Sequence, residues 1–448
     1  MLAYNIRIAV KSLRRNPVLT AIIIGGIALG ICASTTFTTV RHMFARDPLP
    51  GKSDRLFYVR MDNWDPHAPY PTGDGGGKPI PPQLSFRDAT ALMRGSNLPL
   101  HQSMAFQSAL TVYPDPKMAR PYSETVRVCT SDFFPMFDVP FQWGGGWGRH
   151  ADTTPEQVIV IDDATNQKLF GGANSVGKRV RLDDREFTVI GVLKPWRPFI
   201  RYFDVFGNFV APPDAMYVPM SLTRPMLLRT TGNSDGWKTI PLPPGAPPTP
   251  QQLFDAFIES DIDFVQFWVE LRSPRDREAY QRFVDGYVME EKKHGRFERP
   301  LHNELTPMMD LMREFGVVRP EITAMAAISV LFLGICALNL TGLLLSKFLA
   351  RAPEVSVRRA LGATRGHVFL QHIVECELVG LAGGTIGMLL AVGAMRFIGK
   401  LITTTSVIGL DAEMIFAAVF LSLGAGFLAG LYPTWRICSV QPAVQLKI

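Results

Sequence analysis

One stretch of the chain carries residues that could bind a nucleotide phosphate. It reads GGANSVGKRV, with four residues between Gly172 and the pair Gly177-Lys178. This spacing nearly matches the G-x-x-x-x-G-K-[ST] loop, in which backbone N–H groups and a lysine hold the phosphates and a hydroxyl binds Mg²⁺. The next residue is Arg179, so the hydroxyl is missing, and the full motif occurs nowhere else in the 448 residues.

The elements that flank this stretch also argue against a phosphate loop. Upstream, the sequence predicts a buried strand at Gln157–Ile161 and then an amphipathic helix. Downstream, it predicts a hairpin of strands Arg179–Leu182 and Glu186–Leu193 around an Asp-Asp turn. A phosphate loop needs the order strand, loop, helix, so that a helix N-terminus faces the anion. The stretch is therefore predicted to be a turn, and the chain is predicted not to be an enzyme.

Other residues that could do chemistry lack the necessary spacing. The histidines of the long middle segment are not spaced as H-x-x-x-H, and its paired acidic residues fit solvated turns and helix surfaces. We predict no catalytic, cofactor-binding or metal-binding residue. The histidine and the glutamates His372, Glu375 and Glu377 are expected to lie at a membrane boundary, as interfacial residues rather than as a metal or proton site.

Four stretches without Asp, Glu, Lys or Arg predict membrane-spanning helices. Each approaches or exceeds the roughly 20 apolar residues that cross ~30 Å of hydrocarbon. The predicted fold class is a membrane α-helical protein with four transmembrane helices in a 1+3 arrangement and a large extracytoplasmic α+β domain of two subdomains. The stretches are Val18–Val40, Ile322–Ser346, Leu378–Met395 and Met414–Trp435.

Basic residues beside the spans predict which side of the membrane each segment faces. Lysine and arginine are concentrated before the first span and between the second and third spans, and such residues collect on the cytoplasmic side. We therefore predict a bacterial inner (cytoplasmic) membrane protein whose residues 41–319 lie in the periplasm. The net charge of +6 follows from this topology and does not indicate a nucleic-acid partner. The remaining predicted domains are a cytoplasmic amphipathic N-terminal helix at 1–17, the first transmembrane helix at 18–40, and a permease domain at 320–448 with helices at about 322–349, 374–396 and 412–435.

The middle segment alternates short strands with short helices. Strands and helices from both of its ends are predicted to build one α+β layer, and about 141–262 is predicted to be a β-rich insert. Within the insert, Pro195–Pro250 is dense in proline. Since proline removes backbone donors, we predict an extended loop there and not a sheet core.

The predicted cytoplasmic loop between the second and third spans contains a short helix. Pro353 and Glu354 fit its first turn, Gly362 fits a left-handed cap, and Thr364 begins a second helix that leads into the third span. Its apolar residues could enter a groove on a partner protein while its arginines form ion pairs. The same pattern also fits a helix that lies on anionic lipid headgroups, and the spacing leaves both interpretations open.

Glycines at helical spacing recur in three of the spans. Small residues at such spacing let helix backbones approach closely, within one subunit or across a dimer. The predicted packing residues are Gly26, Gly30, Gly380, Gly383, Gly384, Gly387, Gly426 and Gly430.

Several segments together resemble the FtsX/MacB-type permease family of ABC transporters. EVSVRRALGATRGHVFLQHIVE resembles that family's E-[IV]-x-x-R-[RK]-A-[LV]-G-A signature, which is followed by a Glu that enters the next span. SLRRNPVLTAIIIGGIALGI is similar to its entry into the first span, and LYPTWRICSVQPAVQLK to its exit from the last. SDFFPMFDVPF and the segment around the hairpin resemble the MacB-like periplasmic core domain.

The resemblance implies a type VII ABC transporter membrane subunit whose ATPase is a separate polypeptide. It also implies a second permease copy or a paralogue, contact with membrane lipid, and no cofactor; a periplasmic adaptor protein is a further partner that it allows. The expected ATPase-coupling residues are Glu354, Val355, Val357, Arg358, Arg359, Leu361, Gly362 and Ala363.

The resemblance and the apolar spans favour mechanotransmission: ATP hydrolysis by the partner moves the periplasmic domain and so exports a periplasmic or membrane-derived substrate. Two alternatives come from the same family, namely release of lipoproteins and signalling that controls cell-wall hydrolases or senses antibiotics. A membrane-anchored periplasmic enzyme is the least favoured alternative.

Overall fold

The computed structural model of the chain describes residues 2–71, 80–114, 120–206, 209–240, 247–317, 320–401 and 412–439. The chain divides into a helical unit, residues 1–46 and 318–448, and a sheet unit, residues 47–317. Part of the predicted proline-rich loop, at 241–246, and the end of the family-like exit from the last span, at 440–448, lie outside the described residues.

Helices are present in both units and follow one another along the chain with strands between them. They are α1 Leu2–Arg15, α2 Pro17–Ala45, α3 Phe86–Gly95, α4 Phe133–Met136, α5 His150–Thr153, α6 Asp163–Phe170, α7 Pro250–Ile258, α8 Pro274–Lys293, α9 Met308–Glu314, α10 Pro320–Leu349, α11 Ala352–Ala360, α12 Arg365–Leu401 and α13 Ala412–Ser439.

Four helices of the helical unit are long and apolar enough to cross a membrane: α2, α10, α12 and α13. One precedes the sheet unit in the chain and three follow it, which confirms the predicted 1+3 arrangement. Ile23, Ile27 and Ile31 point from α2 into the core of this unit. Large apolar side chains such as Leu331 and Phe420 are exposed on its outside, as expected for helices that are surrounded by lipid.

The sheet unit is built on one mixed sheet of eleven strands in the order β11-β1-β10-β3-β4-β9-β6-β8-β5, with β2 paired to β10 and β7 paired to β3 and β8. The strands are β1 Leu56–Met61, β2 Leu84–Ser85, β3 His101–Tyr113, β4 Tyr122–Cys129, β5 Phe141–Gly144, β6 Val158–Ile161, β7 Arg179–Leu182, β8 Arg185–Leu193, β9 Met216–Pro219, β10 Asp263–Glu270 and β11 Asn303–Pro307.

The two predicted parts of the sheet unit lie at opposite ends of this sheet. Strands β1, β10 and β11 come from the two ends of the unit, whereas β5 to β9 belong to the predicted insert and continue the sheet beyond β3 and β4. Helices α3 and α8 contribute Leu92, Tyr280 and Val284 to the hydrophobic core that the sheet shares. The large extracytoplasmic-type α+β fold that the sequence predicts is therefore present.

Local sequence signals account for several of these elements. The hydroxyl of Ser85 accepts a hydrogen bond from the backbone N–H of Asp88 and caps α3. Asp162 caps α6 in the same way, and Gly171 ends that helix at φ 71°. Strands β7 and β8 form the predicted hairpin, with Asp183 in the left-handed region at φ 48°.

The prediction of an extended loop throughout Pro195–Pro250 is wrong over residues 216–222, which form a short strand and a 3₁₀ turn. Met216–Pro219 is a fully buried strand between β4 and β6. It escapes detection because it is only four residues long and is surrounded by prolines. Pro219 occupies the last strand position, where it lies opposite Cys129 of β4.

Candidate coupling site

The stretch that resembles a phosphate loop is a turn in the structure. It connects α6 to β7, and Gly171, Gly172 and Gly177 all have positive φ. The N–H of Gly177 donates to the carbonyl of Val189 at 2.8 Å, and the N–H of Lys178 donates to the carbonyl of Ser175 at 2.9 Å. These donors hold the turn to the hairpin, and no helix follows that could face an anion.

The short helix α11 begins and ends at the residues that the sequence predicts. Pro353 lies in its first turn, and the chain leaves it through Gly362, whose φ is 101°. The N–H groups of Gly362 and Ala363 donate to the last carbonyls of the helix, those of Arg359 and Arg358, both at 3.1 Å. This glycine cap turns the chain directly into α12, whose first turn is capped by Thr364.

The predicted coupling residues divide into an exposed and a buried group. Leu361 is 84% exposed and Val357 is 46% exposed. Val355 is only 9% exposed and packs in the core of the helical unit. The exposed apolar surface is therefore smaller than the sequence predicts, because Val355 anchors the helix instead of offering a contact to a partner.

Charged residues of α11 are tied to the helices around it. Glu354 forms an ion pair with Arg15 of α1 at 3.0 Å, and both side chains are more than half exposed. Arg358 donates to the side-chain oxygen of Gln371 on α12 at 3.3 Å. Arg359 donates to the backbone carbonyl of Cys438 at the end of α13 at 3.2 Å. These contacts connect one short helix to three others.

A buried ion pair lies beneath α11 and was not predicted. Lys347 Nζ is 2.6 Å from Glu375 Oε1, and both side chains are at most 2% exposed. Glu375 also accepts a hydrogen bond from Ser12 of α1, and Arg351 bonds to the same serine.

His372 and Glu375 are covered by α1 and are 4% and 1% exposed, so at the predicted membrane boundary they face neighbouring helices instead of solvent. Lys347 and Glu375 lie at the predicted cytoplasmic ends of neighbouring spans, α10 and α12. Their matching positions at the ends of two spans could have indicated from the sequence that the two side chains pair. Glu377 lies two residues further along α12.

Seven of the eight predicted packing glycines lie at contacts between helices. A Cβ added at Gly387 would be 2.6 Å from the carbonyl oxygen of Ala28 on α2, and one at Gly380 would be 3.1 Å from the carbonyl oxygen of Ser422 on α13. Gly30, Gly383, Gly384, Gly426 and Gly430 are similarly crowded. Gly26 differs, because a Cβ there would have no described atom within 4 Å.

A second buried charge cluster holds the proline-rich segment to the sheet unit. Arg127 of β4 is fully buried and bonds to Asp204 and Asp214, which Arg201 also contacts. Burial raises the pKa of Asp214, but Arg127 and Arg201 outweigh that effect and hold its pKa below the usual range. The cluster connects residues distant in the sequence, so the sequence alone offers no local signal for it.

Comparisons with known proteins agree with this arrangement of units. A family model described as the MacB-like periplasmic core domain matches residues 20–285, and one described as the FtsX-like permease C-terminal matches residues 326–442. The first match alone covers more than half of the chain.

Relatives of both longer and equal length are similar to the chain. The macrolide export ATP-binding/permease protein MacB of Syntrophobacter fumaroxidans is 24% identical over 341 residues. The match covers 71% of this chain but only 46% of that relative, so the chain spans less than half of its length. The uncharacterized ABC transporter permease YvrN of Bacillus subtilis is 21% identical over 459 residues, which cover 99% of each protein. Among solved structures, the periplasmic region of MacB from Actinobacillus actinomycetemcomitans aligns with 60% of this chain and 97% of its own, at 13% identity and a TM-score of 0.36.

Proposed function

Because the chain belongs to the FtsX/MacB-type family of ABC transporter permeases, we propose that it is the membrane subunit that a separate ABC ATPase drives. In this proposal ATP hydrolysis moves α11, and the movement reaches the sheet unit through the spans. The transporter uses this movement to export a periplasmic or membrane-derived substrate. The chain acts as a mechanical transmitter, and two copies, or this chain and a paralogue, form the working unit.

The observation that carries the proposal is the exposed end of α11. Leu361 is a large apolar side chain that is 84% exposed in a loop predicted to be cytoplasmic. It lies immediately before the glycine cap, at a position that the cap contacts hold firmly. An apolar side chain that is presented in this way fits a pocket on a partner protein, with the half-exposed Val357 beside it.

Transmission from α11 is supported by the contacts beneath it. Val355 fixes α11 to the core of the helical unit, and the Lys347–Glu375 pair joins the ends of α10 and α12. Gly383 and Gly387 bring α12 against α2. In the chain, α2 ends at Ala45 just before the sheet unit begins, and α10 begins just after it ends. A push on α11 therefore acts on both helices that lead into the sheet unit.

The proposal is tested by placing a charge on the exposed leucine. Leu361→Asp should abolish co-purification of the ATPase subunit with the full chain from its native host, because an aspartate cannot enter an apolar pocket without a large desolvation cost. Leu98→Asp is the matched control, since Leu98 is 43% exposed on the sheet unit. Equal ATPase recovery with both variants would remove α11 from the mechanism.

The two family alternatives use the same coupling surface and differ in what the sheet unit contacts. A lipoprotein carrier recovered by cross-linking to the sheet unit would support lipoprotein release instead of export. A cell-wall hydrolase or a sensor kinase recovered there would support signalling.

A further inference from the structure

A cavity lies between three helices of the helical unit, next to the candidate coupling site. Its walls come from α1, α11 and the first two turns of α12, and its volume is about 420 Å³. Apolar side chains line part of it: Ile8, Val355 and Val368. The rest of the lining is polar and mostly basic.

Positive charge dominates this cavity. Lys11, Arg15, Arg351 and Arg358 line it, against the single carboxylate of Glu354. Glu354 pairs with Arg15, and Arg358 bonds to the neutral side-chain oxygen of Gln371. Arg351 bonds to Ser12 and lies 3.8 Å from Glu375, whose charge Lys347 already neutralises at 2.6 Å. Lys11 is exposed and has no ion-pair partner among the described residues. The lining therefore carries an excess of three positive charges that its own acids do not neutralise.

A buried polar atom beside the cavity also lacks a partner. His372 is 4% exposed, lines the cavity, and has no hydrogen bond at Nδ1 from any described residue. The nearest carboxylate oxygen, Glu375 Oε2, is 3.8 Å away, too far for a hydrogen bond. The atom itself is inaccessible, so neighbouring helices enclose it and it does not open onto the cavity.

The cavity lies at the level of the lipid headgroups. Helix α12 has 37 residues, which span roughly 55 Å at 1.5 Å per residue, against ~30 Å of hydrocarbon. Its first turns, which carry Gln371 and His372, precede the apolar stretch Leu378–Met395 and therefore lie on the cytoplasmic side of the predicted span. Helix α1 exposes the apolar side chains Ile6 and Val10 between its basic residues, which is the pattern of a helix in the membrane interface.

We propose that this cavity binds the phosphate headgroup of an anionic phospholipid from the same leaflet. Lys11 and Arg358 attract the phosphate, and Ile8 and Val368 contact the glycerol and the start of the acyl chains. Basic pockets between membrane helices on the cytoplasmic side recognise lipid headgroups in this way. The site is independent of what the permease exports.

The bound lipid would join the coupling helix to the membrane surface. The cavity is shared by α1, α11 and α12, so a phosphate in it bridges three helices whose basic side chains otherwise repel one another. The lipid is favoured over an acidic side chain of a partner protein because exposed apolar residues of α1 adjoin the basic lining. Those residues fit acyl chains.

Native mass spectrometry of the full chain in detergent tests the proposal. Phosphatidylglycerol should bind more tightly than phosphatidylcholine at the first lipid site. Lys11→Ala should weaken that first binding about fivefold, as expected for the loss of one cation near a headgroup, and Lys11→Ala with Arg358→Ala should weaken it further. Lys11→Ala alone keeps the test valid if the double variant does not fold, because Lys11 is exposed and unpaired among the described residues.

Arg7→Ala provides the matched control, since Arg7 lies on the same helix, is exposed, and does not line the cavity. It should change the first binding by less than twofold. Equal effects of Lys11→Ala and Arg7→Ala, or equal binding of the two lipids, would overturn the proposal. Full competition by sn-glycerol 3-phosphate would also overturn it, by showing a soluble phosphate site. Loss of ATPase co-purification in Lys11→Ala with unchanged lipid binding would assign the cavity to a protein partner.

Discussion

Buried charges in this chain are neutralised by residues that lie far away in the sequence. Lys347 and Glu375 are 28 residues apart and both nearly inaccessible, and Arg127 meets Asp214 at a distance of 87 residues. Removing one member of such a pair leaves the other charge buried and unpaired, which costs more than the pair itself contributes. At the residue scale, these pairs hold separate segments in one arrangement.

The pair in the helical unit gives a prediction with an internal control. Lys347→Met or Glu375→Gln alone should destabilise the chain by about 3–5 kcal/mol, whereas the double variant should cost much less because no charge is stranded. The exposed pair Arg15–Glu354 is the control, and single changes there should cost under about 1 kcal/mol. Unfolding in detergent measures all five variants, and additive single effects at Lys347 and Glu375 would argue against a coupled pair.

The buried Asp263 of β10 should make the stability of the sheet unit fall as the pH rises, whereas a salt-bridged acid has the opposite effect. Its side chain is fully buried, and burial raises its pKa well above the usual range; Asn63 donates to it at 2.8 Å and offsets this only in part. Above the unfolded-state pKa of about 4, the Asp263 carboxyl therefore keeps its proton in the folded state but loses it on unfolding. The free energy of unfolding then falls as the pH rises, by up to about 1.4 kcal/mol per pH unit.

Asp263→Asn removes this titration while it keeps the oxygen that Asn63 contacts. The variant should match the parent chain near pH 4 and become progressively more stable than it toward pH 8. Thermal unfolding of the sheet unit within the full chain measures the difference. Asp184→Asn is the control, because Asp184 is exposed, and a gap that stays constant across this pH range would show that Asp263 does not titrate as described.

Helix contacts in the helical unit depend on the absence of side chains. Gly387 meets the backbone of α2, and Gly380 meets α13, so α12 packs against a neighbour on two sides. Close backbone approach of this kind favours dispersion contacts and a fixed helix arrangement. At the element scale, α12 connects α11 to the first span.

Alanine substitutions along α12 separate packing from helix propensity. Gly387→Ala should destabilise the chain by about 1–3 kcal/mol, because the added methyl group meets the carbonyl oxygen of Ala28 and must displace backbone. Gly393→Ala is matched, since a Cβ there has no described atom within 4 Å, and it should be neutral or stabilising by up to about 1 kcal/mol. Unfolding midpoints of the two variants in detergent are compared, and equal midpoints would show that the contact is not tight.

Elements with a strong local pattern were predictable and those fixed by distant contacts were not. The capped helix α3, the β7–β8 hairpin and the four spans follow from periodicity and from capping or turn residues. Strand β9 was missed because its place is set by its pairing with β4 and β6. The burial of Glu375 was missed because it depends on α1 folding over it, which no spacing near Glu375 indicates.

At the scale of the whole molecule, the proposed topology places the coupling helix and the sheet unit in different compartments. The spans are apolar, the sheet unit has its own core, and α11 belongs to the helical unit. The proposed mechanism requires that the coupling helix and the sheet unit face opposite sides of the membrane. A signal that starts at Leu361 then has to cross the bilayer through the packed helices.

Cysteine labelling in intact spheroplasts tests this requirement most directly. With the five native cysteines replaced by serine or alanine, Asp184→Cys in the sheet unit and Leu361→Cys at the end of α11 are each treated with a membrane-impermeant maleimide. The proposed topology predicts that the cysteine at 184 reacts in intact spheroplasts and that the one at 361 reacts only after lysis. Reaction at 361 in intact cells, with 184 protected until lysis, would contradict it.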